Sequence, residues 1–269
     1  MLCIQERNLH ESLPIMCKLL LKRGQTIADG KVLRLDGPVA ITLTKPMERV
    51  SFHRELKMNP FAFFMAGMQM LFANLPGLKQ FGKFLREDKI GLPYNTMIND
   101  TYASFQRNSV KDLDAFVTGR SSDPIQDTII VSMIQEILAH AADCPVGKLT
   151  WQTTNLHIDI EKAKASCEKV AEAIEQESPY STGEIRPHKI IDIPLNRWER
   201  ELDTYSKQQH RGTYTDLFFS NVVVPIYQAG TSLQHEGFGL AQTQLDSCFA
   251  EDWRKACTAW VLSESLRTS

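Results

Sequence analysis

The sequence has no hydrophobic run long enough for a membrane helix and no surplus of either charge. Every apolar stretch falls short of the roughly 20 residues that cross a bilayer, so we expect no membrane-spanning segment. The 30 basic and 32 acidic side chains give a formal charge of −2. This balance provides no electrostatic reason to expect non-specific nucleic-acid binding, which needs a surplus of Lys and Arg facing the phosphates. A local basic patch remains compatible with it.

Paired cysteines are also missing. Without a CxxC pair, neither a zinc site nor a disulfide framework has the spacing that it requires. We therefore predict no metal and reduced thiols, as in a cytosolic compartment. The first residues lack the basic-then-apolar pattern of a secretion signal, which agrees with a cytoplasmic location. The six cysteines are Cys3, Cys17, Cys144, Cys167, Cys248 and Cys257.

Several catalytic signatures are absent as well. The chain has no glycine-rich phosphate loop, no HExxH motif and no sequence context for a Ser–His–Asp triad. What is present is an ordinary globular composition, with 43% hydrophobic and 23% charged residues. A chain of 269 residues can bury a full core, and its length suggests one or two domains.

The N-terminal half mixes helical and strand patterns. Apolar residues at helical spacing predict a helix from about Leu9 to Lys22. Strands are predicted at Val32–Leu35 and Val39–Leu43, because alternate side chains suit a half-buried strand. Asn59-Pro60 then provides a cap and a first turn for a core helix over Phe61–Ala73.

The middle of the chain predicts a hairpin arm over Ser109–Val117 and an amphipathic helix over Ile125–Ala142. The clearest strand is expected from Lys148 to Ile160. In its second half, apolar side chains alternate with polar ones, and His157 and Asp159 lie on the polar side.

A loop rich in turn-forming residues, Glu177–Pro187, separates two compositions. From Leu195 onward the pattern is almost entirely helical. We interpret the chain as a single α+β domain over residues 1–269, with a helical C-terminal section at about 195–269. The helices predicted there lie near Arg197–Gln209, Leu217–Gln234 and Ala241–Ser265.

Four stretches, in this order, resemble thymidylate synthases and the related phage deoxynucleotide hydroxymethylases. They look like the family's strand into its first core helix, its Arg-Ser-x-Asp phosphate motif, its central helix with the later His-Ile strand, and the C-terminal helices of phage members. The resemblance implies the family's α+β fold, in which a large mixed sheet is flanked by helices and is dimeric through the sheet. The stretches are Arg49-Val-Ser-Phe to Asn59-Pro60-Phe61, Arg120-Ser121-Ser122-Asp123, Met133 to Ala139 with Gly147 and Leu156-His157-Ile158, and Val224-Pro225 with Asp252-Trp253 to Trp260.

The family's catalytic positions are substituted in this chain. Its nucleophilic cysteine lies about one hairpin upstream of the Arg-Ser motif, where this chain has Thr101. A thiolate is needed there because it must add to C6 of the pyrimidine and later leave, and a threonine hydroxyl is barely ionised near neutral pH. The family's catalytic glutamate corresponds to Ala66, which removes the carboxylate that organises proton transfer at the base.

The family's phosphate site is retained only in part. The resemblance implies that Arg120 and Ser121 hold a nucleotide phosphate, together with Arg23. The same Arg-Ser-Ser-Asp stretch is also typical of a turn that caps the following helix, and both interpretations stay open. Between Gly77 and Thr101 there is no room for the double-arginine loop with which the family reaches the partner's phosphate.

Three polar residues are candidates for a redirected chemistry. Asp159 replaces the family's tyrosine two residues after the motif histidine, His157, and the two side chains suit an acid–base pair. A structural histidine is an equally good interpretation of His157. Asp127 corresponds to the helix amide that reads the pyrimidine edge, and an Asp there suits cytosine because it accepts from the exocyclic amine.

These departures lead to three hypotheses. The first is a divergent, non-methylating protein that binds a pyrimidine deoxynucleotide or a modified DNA base, or that partners an active nucleotide-modifying enzyme. It would act as a homodimer or as a heterodimer with a family paralogue. The second is an enzyme with thiol-independent chemistry on a pyrimidine nucleotide or base, using Asp127, His157 or Asp159. The third is a structural or regulatory protein with a vacated pocket. The C-terminal motif favours phage DNA modification in the host cytoplasm, and a folate cofactor is compatible with the family but unsupported by these residues.

Overall fold

The computed structural model describes residues 1–86, 94–98, 101–119, 124–173 and 177–268. Its strands are β1 (Leu2–Glu6), β2 (Gln25–Ile27), β3 (Val32–Arg34), β4 (Val39–Leu43), β5 (Tyr94–Ile98), β6 (Thr101–Arg107), β7 (Leu113–Gly119), β8 (Val146–Thr153) and β9 (His157–Asp159). Its α-helices are α1 (Leu9–Arg23), α2 (Pro60–Arg86), α3 (Pro124–Ala141), α4 (Ile160–Glu172), α5 (Leu195–Gln208), α6 (Val224–His235), α7 (Phe238–Asp246) and α8 (Glu251–Thr268).

Six of these strands form one mixed sheet in the order β1-β4-β8-β7-β6-β5. The pairs β1/β4 and β7/β8 are parallel, whereas β4/β8, β5/β6 and β6/β7 are antiparallel. The remaining three strands form a small antiparallel sheet in the order β2-β3-β9. Helices α1 and α3 pack on the large sheet, and the chain from residue 195 on is helical. The predicted α+β fold is confirmed, and it is consistent with a thymidylate-synthase-like fold.

The large sheet buries one face. On β6, Ala103 and Phe105 are completely buried, whereas Tyr102, which points the other way, is exposed. On β7 the same alternation buries Ala115 and exposes Phe116. This period of two residues follows from the pleat of a strand. The buried face meets α3, and the opposite face presents aromatic side chains to solvent.

Helices α1, α3 and α5 lie where their periodicity predicts them, within two residues at each end. The long strand predicted from Lys148 to Ile160 is wrong, because β8 and β9 belong to different sheets. The chain bends between them, where the Asn155 N–H donates to Thr153 Oγ1 over 3.0 Å. The single helix predicted over Ala241–Ser265 is also wrong.

That C-terminal region contains α7 and α8, separated by residues 247–250. At this break the Phe249 N–H donates to the carbonyl of Asn221 over 2.9 Å, a bond to another segment that a continuous helix could not make. The break also places Asp252, in the first turn of α8, inside the core.

A buried ionic network connects these helices. Arg49 donates to Glu136 of α3 over 2.5 Å, and both side chains are almost completely buried. The second carboxylate oxygen of Glu136 accepts the Ile190 N–H over 2.8 Å. Because an unpaired charge in the interior is very costly, the loop that carries Arg49, helix α3 and the segment at Ile190 hold one another in place.

Asp252 extends this network to α8. Its Oδ2 accepts the Tyr180 hydroxyl over 3.1 Å and the His188 N–H over 3.3 Å. Burial raises the pKa of Asp252, and its backbone hydrogen bonds and the positive charge of Arg49 oppose that rise. Burial also raises the pKa of Tyr180 well above its usual value, so the phenol stays protonated and remains a donor.

Replacing Arg49 by Met leaves the Glu136 carboxylate buried without its cation. We expect the free energy of unfolding to fall by about 3–5 kcal/mol, measured by urea denaturation and circular dichroism. The double variant Arg49→Met with Glu136→Gln removes both charges but keeps an acceptor for the Ile190 N–H, so it should recover part of this loss. The control Lys207→Met breaks an exposed pair with Asp203 and should cost less than about 1 kcal/mol. If Arg49→Met and Lys207→Met lowered the free energy of unfolding by the same amount, this role of Arg49 would be contradicted.

Candidate functional site

Thr101 and Asp127 meet in a buried hydrogen bond. The Thr101 hydroxyl donates to Asp127 Oδ2 over 2.7 Å, and both residues are almost completely buried. Thr101 begins β6, and Asp127 lies in the first turn of α3. A carboxylate in that turn interacts favourably with the partial positive charge at the helix N-terminus. The structure therefore brings together Thr101, which the resemblance aligns with the family's nucleophile, and one of the predicted catalytic residues.

The register of the sheet aligns Thr101 with the residue before the Arg-Ser motif. Thr101 lies opposite Gly119 on β7, and Gly119 lies opposite Thr153 on β8. Thr153 Oγ1 also donates to the Gly119 carbonyl over 3.3 Å. Gly119 is the last described residue before the motif, and Arg120 and Ser121, the predicted phosphate ligands, lie outside the described residues. Their role stays a prediction.

Thr153 connects this end of the sheet to the predicted histidine. Its Oγ1 accepts the Asn155 N–H, and the Asn155 carbonyl lies 2.8 Å from His157 Nδ1. Because a carbonyl oxygen can only accept, Nδ1 carries the hydrogen, and in a neutral ring Nε2 is then an acceptor. The backbone bend before His157 thus orients its half-buried imidazole.

Asp159 has a structural role that the sequence analysis did not predict. It caps helix α4, where its Oδ1 accepts the Lys162 N–H over 3.0 Å. It follows His157 at the period-2 position of β9, so the two side chains share one side of the strand. The acid–base role of the two residues stays a prediction.

Arg23 lies beside the same small sheet. It is exposed in the last turn of α1, two residues before Gln25 of β2. Gln25 pairs with Arg34, and Arg34 pairs with His157. Since neighbouring strands are about 4.8 Å apart, Gln25 and His157 are separated by about 10 Å. Arg23 and His157 therefore flank one end of the small sheet.

Ala66, which the resemblance aligns with the family's glutamate, lies half-buried on α2. At the next residue, Gly67, α2 lies close to α3, because a Cβ there would lie 2.4 Å from Met133 Sδ. The methyl group of Ala66 offers neither an acceptor nor a proton. Among the described residues, no group of three or more His, Cys, Asp or Glu side chains is arranged to hold a metal ion.

Sequence reasoning missed Thr153. The available signal was its place in the alternation of β8, in which Leu149, Trp151 and Thr153 share the buried side. A threonine at a buried position needs hydrogen-bond partners, and here it supplies the bonds that set the bend before His157. Also among the described residues, no helix is both long and apolar enough to span a membrane.

The hydrogen bond between Thr101 and Asp127 can be measured by a double-mutant cycle. Thr101→Val keeps the shape but removes the donor, and we expect it to lower the free energy of unfolding by about 1–3 kcal/mol. In an Asp127→Asn background the same change should cost clearly less, giving a coupling on the order of 1 kcal/mol. Thr101→Ser, which keeps the hydroxyl, serves as the control. If the losses of unfolding free energy from Thr101→Val and Asp127→Asn, measured by urea denaturation, simply added in the double variant, a direct interaction would be contradicted.

The comparisons with known proteins agree with the resemblance at a coarse level. No model of a known protein family matches the chain. A curated protein of Pseudomonas phage M6, named deoxyuridylate hydroxymethyltransferase, is 22% identical in an alignment that covers 96% of this chain and 93% of that protein. The chain is therefore distantly similar, over nearly its whole length, to a phage nucleotide hydroxymethyltransferase.

Proposed function

We propose that this protein binds a pyrimidine deoxynucleotide or a modified DNA base without methylating it, in the setting of phage DNA modification. It does so alone or as the partner of an active nucleotide-modifying enzyme. The distant similarity to a phage deoxyuridylate hydroxymethyltransferase supports the class of ligand. The observation that carries the proposal is the buried pair of Thr101 and Asp127 at the position of the family's thiol.

A covalent route through C6 of the base requires an anionic nucleophile that can add and then leave. Thr101 offers a hydroxyl whose hydrogen already bonds to Asp127. Ala66 offers no carboxylate for proton transfer at the base. A bound folate would supply a one-carbon unit, but the residues at these two positions do not fit such a transfer, and we derive no step through it.

The retained residues suit the binding of a phosphorylated ligand. Arg23 is exposed beside the small sheet, and His157 presents Nε2 at the same end. In our proposal Arg23, Arg120 and Ser121 bind the phosphate, because guanidinium groups and hydroxyls form strong bonds with it. In the same proposal Asp127 reads the edge of the base.

Binding of a nucleotide and chemistry on the nucleotide can be measured separately. Isothermal titration of dUMP, dCMP and dTMP should show binding of at least one of them. Arg23→Gln should weaken it roughly ten- to a hundredfold, because a hydrogen bond to a charged group contributes about 1.5–3 kcal/mol. The matched control Arg200→Gln, an exposed arginine on α5, should leave the affinity unchanged.

The same preparation should release no tritium from [5-³H]dUMP, with or without methylenetetrahydrofolate. Release of the C5 hydrogen follows addition of a nucleophile at C6, so it reports the covalent step directly. Tritium release, or folate-dependent transfer of a carbon to dUMP, would overturn the non-methylating part of the proposal. Absence of binding by the whole panel would favour a structural or regulatory protein instead.

The second candidate function is an enzyme with thiol-independent chemistry on a pyrimidine nucleotide or base. It is favoured by the 2.7 Å contact between a hydroxyl and a carboxyl group, because a nucleophile beside a base is a recurrent catalytic arrangement. If this candidate holds, alanine at Asp127, His157 or Asp159 should reduce the turnover of a modified-nucleotide panel at least tenfold. Unchanged turnover in all three variants would remove it.

We also propose that the protein dimerises through the exposed face of the large sheet. Tyr102 lies directly opposite Met97, and Phe116 lies opposite Ser104, so these three apolar side chains form one patch. Contiguous exposed apolar surface of this kind marks protein–protein contacts. A second copy of the chain would cover this patch.

Phe116→Lys should convert the dimer to a monomer in sedimentation velocity, because it places a charge within the interface. The control Leu240→Lys changes a side chain that is 41% exposed, against 43% for Phe116, but on α7. It should leave the dimer intact. A monomeric wild-type protein would contradict the proposal outright.

A further inference from the structure

A groove, the α2–α6 groove, lies between the first two turns of α2 and helices α6, α7 and α8. It offers about 570 Å³, within the roughly 300–1,000 Å³ typical of small-molecule sites. All four helices contribute half-buried apolar side chains to it. A ligand that covered this apolar surface would be stabilised because it removes the surface from water. These side chains are Met65, Tyr227, Leu233, Phe238 and Trp260.

The groove lies on the side of α2 that is turned away from α3. Met65 of α2 lines the groove. Gly67, in contrast, lies against Met133 of α3. Residues two apart on an α-helix differ by a rotation of about 200°. The groove and α3, which carries Asp127, are therefore on different sides of α2.

Side chains in the wall of the groove are held in place by other contacts. The Tyr227 hydroxyl donates to Gln209 Oε1 over 2.7 Å. The Tyr227 ring stacks on His210 with ring centres 5.3 Å apart. The Tyr205 hydroxyl donates to Met65 Sδ over 3.7 Å. A ligand would thus find Tyr227 and Met65 already positioned, which lowers the entropy that binding costs.

The charge of the lining limits the class of ligand. Among its described residues Glu264 carries the single charge, and no Lys, Arg or His is present. Glu264 already interacts with another residue. An anion would therefore find no cation in the described lining, and a cation would have to replace an existing partner of Glu264. An uncharged ligand avoids the cost of burying an unpaired charge.

Hydrogen-bond donors in the lining give such a ligand an orientation. Asn59 Oδ1 accepts the Ala62 N–H over 3.2 Å and so caps α2. This bond uses the amide oxygen and leaves the Nδ2 group as a donor. The indole of Trp260, which also lines the groove, can only donate. A ring carbonyl or another acceptor on the edge of the ligand matches both groups.

We infer that the α2–α6 groove is a second ligand site, which binds an uncharged aromatic molecule with a hydrogen-bond acceptor on its edge. The ring system lies against Tyr227, Phe238 and Trp260, and the acceptor meets the Asn59 Nδ2 group. The inference goes beyond the proposed nucleotide binding, which depends on a phosphate. Either proposal can fail without the other.

The probe for this site is 6-propionyl-2-(dimethylamino)naphthalene, an uncharged naphthalene with a carbonyl group, whose fluorescence shifts to the blue in apolar surroundings. Titrated into the full chain, it should show one saturable site. The anion 1-anilinonaphthalene-8-sulfonate has the same ring system and should bind roughly tenfold more weakly, because its charge has no partner in the groove. Equal or tighter binding of the sulfonate would overturn the inference.

Two variants test the position of the probe. Ala62→Trp replaces an exposed residue of the lining by an indole that fills the groove, and it should abolish binding. Its control, Ala165→Trp, changes an exposed alanine on α4 and should leave the affinity unchanged. Asn59→Asp keeps an acceptor for the Ala62 N–H but removes the Nδ2 donor, so the probe should bind roughly three- to tenfold more weakly. Wild-type affinity in either groove variant would contradict the inferred site.

Competition separates this site from nucleotide binding. Uncharged 2-acetylnaphthalene should displace the probe, whereas dUMP, dCMP and dTMP should not. Displacement by any of these nucleotides would make the groove part of the nucleotide site and overturn the inference.

A measurement on the unmodified sequence covers the case in which Ala62→Trp fails to fold. With ¹³C-methyl methionine, the resonance of Met65, which lines the groove, should shift on addition of 2-acetylnaphthalene. Met16, buried in the core on α1, should not shift. A titration that leaves Met65 unmoved would place the ligand elsewhere and refute the site.

Discussion

The buried ion pair between Arg49 and Glu136 is the constraint on which the arrangement of the helices depends. Two full charges are tolerated in the interior only while each keeps its partners. Glu136 also receives the Ile190 N–H, and Asp252 receives the Tyr180 hydroxyl. The segment from residue 177 to 194 contains no helix or strand. Its position is therefore set by these side-chain hydrogen bonds rather than by the backbone hydrogen bonds of a helix or sheet. The position of this segment in turn determines where the C-terminal helices pack.

Helix α3 contacts a different part of the molecule on each of its sides. Toward the sheet, Gln135 donates to the Leu113 and Lys148 carbonyls over 2.7 and 3.1 Å, joining β7 to β8. Toward α2, Met133 occupies the space left by Gly67. In its first turn, Asp127 accepts the Thr101 hydroxyl and so connects the helix to the start of β6. One helix thus contacts the sheet, α2 and the candidate site.

The pair of Thr101 and Asp127 joins the start of β6 to the first turn of α3. The Thr101 hydroxyl contributes a donor to a carboxyl group that is almost completely buried, and a buried carboxyl group is costly without such donors. A hydroxyl held by a carboxyl group is compatible with both candidate functions, binding without covalent chemistry and chemistry without a thiol.

The sequence by itself determined the fold class and helices α1, α3 and α5, because periodicity and capping are local properties. It could not determine which strands pair. The alternation that predicted one strand from Lys148 to Ile160 continues through the bend into another sheet, since a period of two reports a buried side and not a partner. Nor could it predict that Thr101 meets Asp127, 26 residues later. Only the tertiary structure decided these points, because the register of β6 and the seating of α3 depend on contacts between segments far apart in the chain.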